Sequence, residues 1–167
     1  QYQTVINLLD PESVDVAQFK SDFEKIQSFV RAGRTSELSS GDTNYLVAKT
    51  SGPGKGKGLR HQPNSPEKYE PRAFTIRDSY MTQLLLGRSG QNDIPNSLNL
   101  SIEEATELTF RPLIGKTLDE LSVLAQYDAS TSNNKASHHE LAIRLLGGGK
   151  DAVNELEKAN IKLKTIR

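Results

Sequence analysis

The sequence predicts an α+β fold in which several short helices, most of them C-terminal, pack on a small antiparallel sheet. Ser/Thr-x-x-Glu capping boxes recur along the second half, and each marks the start of a helix. In the first half, two short stretches alternate in the manner of half-buried strands. Long apolar runs typical of buried parallel strands are missing from the sequence, which argues against a doubly wound α/β sheet.

The clearest single element is an amphipathic helix near the N-terminus. We expect Asp15 to cap this helix and Gly33 to end it. Its apolar residues are spaced three and four positions apart and therefore share one face: Val16, Phe19, Phe23, Ile26 and Val30. A shorter helix over 2–9 would end at Asp10-Pro11.

Two strands and further helices follow. The strands are expected over 44–50 and 72–77, and a short helix should run from Asp78 to Gly87. Capping boxes then predict three helix starts in the second half. The paired residues are Ser101 with Glu104, Thr117 with Glu120, and Ser137 with Glu140. A last helix over about 150–159 and an edge strand over 161–166 complete the predicted elements.

Length and composition limit the classes of protein that fit. The 167 residues suit a single domain over 1–167, and 21 basic residues balance 21 acidic ones. The absence of cysteine excludes disulfides, thiolate nucleophiles and cysteine-based zinc sites. We expect a soluble chain, since no signal or membrane-spanning segment is visible in the sequence. We also expect no cofactor or metal. Because the chain starts at Gln1, we interpret it as a trimmed form, a mature form or a piece of a larger protein.

A segment rich in glycine, proline and charge, 51–71, is predicted to be a long flexible basic loop. Its Lys57 is followed by glycine rather than Ser or Thr, so the segment does not match a phosphate-binding P-loop. A local excess of basic residues, with Tyr69 nearby, fits contact with a nucleic-acid backbone or with a protein partner. The same composition is also typical of a solvated loop that contacts no partner. The expected contact residues are Lys55, Lys57, Arg60, His61, Lys68 and Arg72.

The histidines are the second candidate site. His138 and His139 precede Glu140, but the second histidine of an HExxH zinc motif is replaced by Ile143. We interpret them mainly as residues of a first helical turn. As an alternative, His138, His139 and Arg144 could supply the acid, base and cation of a metal-independent ribonuclease.

The resulting hypothesis is a non-enzymatic binding or assembly module whose 51–71 loop contacts a protein or nucleic acid, RNA included. Its motivation is the long basic loop combined with the absence of a recognised catalytic motif. Two alternatives remain open: a small toxin-like ribonuclease using His and Arg, and a viral or phage structural protein. The oligomeric state and the compartment are not predicted.

Overall fold

Helices and strands are segregated along the chain, as in an α+β protein: one helix precedes all four strands, and five helices follow them. The structure, a computed structural model, describes residues 7, 13–53, 56–88, 90–127, 134–149 and 152–164. The helices are α1 (Val16–Arg31), α2 (Asp78–Leu85), α3 (Ile102–Phe110), α4 (Leu118–Leu124), α5 (Lys135–Leu145) and α6 (Asn154–Ala159). The strands are β1 (Leu46–Thr50), β2 (Arg60–His61), β3 (Lys68–Tyr69) and β4 (Arg72–Ile76). Short 3₁₀ turns occupy Thr35–Glu37 and Arg111–Leu113.

The strands form two small antiparallel sheets. β1 pairs with β4 from Leu46 opposite Ile76 to Thr50 opposite Arg72. β2 pairs with β3 inside the segment expected to be a loop. The predicted α+β class with a small antiparallel sheet is therefore confirmed, whereas the description of 51–71 as one long loop is not.

Helix α1 follows the sequence prediction over most of its length. Phe19 and Ile26 are buried, but Phe23 leaves 55% of its surface exposed, so the apolar face is narrower than expected. Asp15 occupies the N-cap position without capping the helix through its side chain. Its carboxylate oxygen Oδ1 instead accepts a hydrogen bond from the buried Lys158 Nζ, at 2.8 Å. The helix expected over 2–9 lies, except for Asn7, outside the described residues.

Three aromatic rings from different elements meet at the centre of the larger core. Phe19 of α1 contacts Tyr45 and Tyr80 edge-on, with ring centroids 5.6 and 5.1 Å away. Tyr45 and Tyr80 lie 4.8 Å apart. Aliphatic side chains from α3, from α5 and its C-cap, and from α6 also belong to this core: Ile102, Ala105, Ile143, Leu146, Leu156 and Ala159.

Buried carboxylates attach neighbouring segments to the helices. Asp22 of α1 accepts hydrogen bonds from the backbone amides of Asn44, Tyr45 and Leu46, at 2.6 to 2.9 Å. Glu155 of α6 accepts from the amides of Asp93 and Ile94. Because buried amides need acceptors, these carboxylates fix where each segment meets its helix.

The second half confirms two capping boxes and corrects the third. Ser101 with Glu104 begins α3, and Thr117 with Glu120 begins α4. Helix α5 begins three residues earlier than the Ser137 box requires, because Asn134 caps it through the amides of Ala136 and Ser137.

The chain after α6 differs from the expected edge strand. Residues 161–164 form no strand, and 165–166 lie outside the described residues, as does the predicted helix start at 150. None of the helices in the described ranges is long and apolar enough to cross a bilayer.

Candidate functional site

Three of the predicted contact residues, Arg60, His61 and Lys68, lie on a β-hairpin rather than along an open loop, with Lys57 just before it and Arg72 at the start of β4. In the short β2–β3 ladder, Arg60 lies opposite Tyr69 and His61 lies opposite Lys68. Since side chains alternate across a strand, Arg60 and Tyr69 share one face and His61 and Lys68 share the other. Lys55 lies outside the described residues.

An aromatic ring organises the first of these faces. The Arg72 guanidinium lies 5.3 Å from the centre of the half-buried Tyr69 ring, within the range of a cation–π contact. Arg72 also donates a hydrogen bond to the Thr50 hydroxyl at 3.2 Å, which ties it to the β1–β4 sheet. Tyr69 therefore has an arginine stacked over its ring and a second arginine, Arg60, across the ladder.

The remaining cations of the hairpin face solvent and keep their charges available. Lys57, Arg60 and Lys68 are exposed, and none of the ion pairs among the described residues involves them. Other cations are engaged: Lys49 pairs with Asp78, for example. The nearby Glu70 accepts a hydrogen bond from the Gly56 amide, which shapes the start of the hairpin.

The tip of the hairpin is docked on the end of α1. The Asn64 side-chain amide donates to the carbonyl of Arg31 at 3.2 Å. Gly33 lies so close to the tip that a Cβ added to it would stand 2.2 Å from the Asn64 carbonyl oxygen. Sequence reasoning missed this docking, although the Pro-Asn dipeptide at 63–64 is a turn signal that could have indicated a hairpin.

The histidine group lies on a different element. His138 and His139 are half-buried on α5, and the Nε2 of His138 is buried without a hydrogen-bond partner among the described residues. The Arg144 guanidinium forms an ion pair with the Glu140 carboxylate at 2.9 Å and lies 4.9 Å from the centre of the Tyr127 ring. The catalytic role suggested for these three residues stays a prediction.

A cavity of about 310 Å³ lies beside His139. Its lining includes the charged residues Glu157 and Lys162 and the apolar residues Ile143 and Leu156. Within the described part of the chain, no three His, Asp or Glu residues are placed to hold a metal ion.

Comparison with known proteins identifies one informative similarity. The chain is 29% identical, over 98% of its length, to the type II restriction enzyme Sau3AI of Staphylococcus aureus. It spans about a third of that enzyme, 36% of the length. No protein-family model matches the chain.

This similarity corrects the functional hypothesis drawn from the sequence. A relative that matches nearly the whole chain is an enzyme, so the expectation of a non-enzymatic binding or assembly module was wrong. The alternative of a viral or phage structural protein is likewise overturned. The alternative of a metal-independent ribonuclease stays a prediction. Sequence reasoning missed this similarity because it depended on short catalytic motifs, and the sequence contains none of the motifs that were searched for.

Proposed function

We propose that this chain is part of a DNA-cleaving enzyme of the restriction type and supplies a surface that binds the duplex backbone. The observation that carries the proposal is the match of 98% of the chain to a type II restriction enzyme. Because the chain spans 36% of that relative, we assign it a contribution to the enzyme rather than the whole reaction. The β2–β3 hairpin is the surface we assign to DNA.

The charge of the hairpin supports this assignment. The chain as a whole is neutral, so it has no general attraction for a polyanion. Arg60 and Lys68 on the short, exposed hairpin and Lys57 just before it nevertheless concentrate positive charge that no ion pair among the described residues neutralises. A phosphate backbone that exchanges its counterions for such cations gains free energy, and the gain falls with salt concentration.

The docked tip favours backbone contact over reading of the bases. A free β-ribbon can enter the major groove and place its side chains against base edges. Here the Asn64 turn is held against the end of α1. The hairpin therefore presents its flank, the sides of strands β2 and β3, instead of its tip. Cations on a flank suit the phosphates, which fix the position of a protein on DNA without specifying sequence.

The test is a charge-neutralising triple variant, Lys57→Gln, Arg60→Gln and Lys68→Gln. Binding to a labelled duplex is measured at several salt concentrations, in EDTA so that no cleavage intervenes. We expect weaker binding and a slope of log affinity against log salt reduced by about 1 for each phosphate that the variant no longer neutralises.

The matched control carries three glutamines at exposed lysines on other elements: Lys20, Lys25 and Lys116. It removes equal charge, so any general electrostatic effect is common to both variants. Equal losses of affinity in the two variants would refute a hairpin-specific contact, and absence of duplex binding by the wild-type chain would refute the proposed function.

A further inference from the structure

The hairpin is held by two residues that carry no charge, Gly33 and Asn64. Gly33 lies just beyond the end of α1 and has a left-handed φ of +67°. Its amide donates to Val30 and that of Arg34 to Phe29, the pair of hydrogen bonds of a Schellman helix end. Asn64, at the tip of the hairpin, also has a positive φ, of +57°.

These two backbones pack directly against each other. An added Cβ on Gly33 would lie 2.2 Å from the Asn64 carbonyl oxygen and 2.9 Å from its carbonyl carbon. Both atoms belong to backbone, so they cannot move aside as the end of a flexible side chain does. The bond from the Asn64 side chain to Arg31 lies in the same contact, at 3.2 Å.

The hairpin needs such an external hold because its own ladder is short. β2 and β3 contribute only two residues each, and an isolated two-stranded hairpin is marginal in water even when longer. Most of its surface is exposed, so little apolar burial holds it in place. The contact with α1 and the stacking of Arg72 on Tyr69 attach it to the rest of the chain.

We infer that Gly33 and Asn64 form a latch that positions the cationic hairpin for the DNA backbone. Both are positioning residues, since they act through Lys57, Arg60 and Lys68 and bring no charge of their own. The inference rests on the proposed function and extends it, because it assigns a role in DNA affinity to residues that need not touch DNA.

The chain offers a close control for the Gly33→Ala variant. Gly87 ends α2 with the same Schellman bonds, Gly87 to Leu84 and Arg88 to Gln83, and has a φ of +74°. Nothing lies within 4 Å of a Cβ added there. Gly33→Ala and Gly87→Ala therefore impose similar backbone strain, and only the first displaces the hairpin.

The experiment compares both variants by amide hydrogen exchange over 57–69 and by duplex binding across a salt series. For Gly33→Ala we expect faster exchange in the hairpin, about tenfold weaker binding, and a salt slope reduced by about 1 or more, although no charge is removed. Gly87→Ala should keep wild-type hairpin exchange and the wild-type slope. Asn64→Gly, which accepts the positive φ and deletes only the side-chain bond, should change both readouts in the same direction as Gly33→Ala.

The outcomes separate the latch from the proposed function. Unchanged hairpin exchange in Gly33→Ala and Asn64→Gly overturns the latch, whatever the DNA result. Faster exchange with an unchanged salt slope, in a chain whose triple charge variant binds weakly, overturns the positioning role alone. If the triple charge variant binds as its lysine control does, the proposed function fails first, and this inference fails with it.

Discussion

At the scale of single residues, Lys158–Asp15 is the one ion pair among the described residues in which both side chains are fully buried. Lys158 has no exposed side-chain surface, and its amine contacts both Asp15 carboxylate oxygens, the Gln91 carbonyl and the Asn92 side chain. Tyr80 adds a hydroxyl donor to Asp15 at 3.1 Å. Burial raises the pKa of the Asp15 carboxyl above its ordinary value, while Lys158 and the hydrogen bonds act against this rise.

Replacing Lys158 should lower the free energy of unfolding, because the Asp15 carboxylate then stays buried without its partner. We expect Lys158→Met to destabilise the fold by about 3–5 kcal/mol at neutral pH, because an uncompensated charge stays buried. Without the ammonium the pKa of Asp15 rises further, so the folded state binds a proton that the unfolded state releases. The loss should therefore grow as pH rises above the ordinary pKa of Asp15, near 3.8, and shrink as pH falls toward that value.

Urea unfolding from pH 4 to pH 8 measures this loss. The double variant Asp15→Asn with Lys158→Met removes the charge altogether and should show little of the added pH dependence. A Lys158→Met loss that is independent of pH would contradict this account.

The same pair shows why sequence reasoning reached its limit at residue scale. Asp15 stands where an N-cap belongs, and local rules assign it that role. Its actual partner, Lys158, is 143 positions away, and no periodicity or spacing connects the two. The same applies to the Gly33–Asn64 contact, whereas the basic residues of the hairpin were recognisable from composition alone.

At the scale of elements, local signals determined the helices well. The boxes at Ser101 and Thr117 predicted the starts of α3 and α4 because each signal involves residues only three apart. The Ser137 box failed because Asn134 is itself a strong N-cap and leaves Ser137 three residues inside the cap. Competing caps in one short stretch cannot be ranked from spacing, so the boundary shifted by one turn.

The capping boxes also predict a response to acid. Hydrogen bonds from the Ser101 amide and hydroxyl hold the pKa of Glu104 below its usual value of 4.5. A lowered folded-state pKa contributes stability that is present above pH 4.5 and is lost as the pH falls through the folded value. Glu104→Gln keeps a side-chain acceptor but cannot titrate, so its stability deficit relative to wild type should shrink between pH 6 and pH 3.

Chemical denaturation across this pH range tests the response. Glu120, whose pKa is lowered in the same way by Thr117, provides an independent repeat through Glu120→Gln. A deficit that stays constant with pH in both variants would show that the boxes do not act through the carboxylate charge.

At the scale of the whole molecule, a net charge of zero combined with a local cluster of cations predicts how strongly the chain distinguishes one DNA sequence from another. Backbone contact through the flank of a docked hairpin carries no direct information about base sequence. We therefore expect this chain to bind two duplexes of equal length and unrelated sequence with affinities within about threefold of each other at the same salt concentration.

Competition between the two duplexes, measured by fluorescence anisotropy, checks this expectation. Duplexes of similar groove geometry keep shape effects out of the comparison. A preference of about a hundredfold or more for one sequence would mean that side chains of this chain read bases, and the hairpin flank could not then be the principal contact.

At this scale, the fold class was the property that could be predicted best from the sequence. Apolar spacing located α1, β1, β4 and α2 within a few residues, because each pattern reports burial of one face. The hypothesis of a non-enzymatic module was wrong, because composition reveals a cationic segment but not the class of protein that carries it. The pairing of β2 with β3 was missed because strands of two residues are too short to show alternation.

The distance between Asp15 and Lys158 along the chain has a consequence for synthesis of the protein. At about 5–20 residues per second, a ribosome adds the 143 positions between them in roughly 7 to 29 s. During that interval α1 emerges with the Asp15 carboxylate still in water, because the ion pair with α6 cannot form before Lys158 has been added. The carboxylate at the start of α1 is therefore without its ammonium partner while the strands and the other helices are being made.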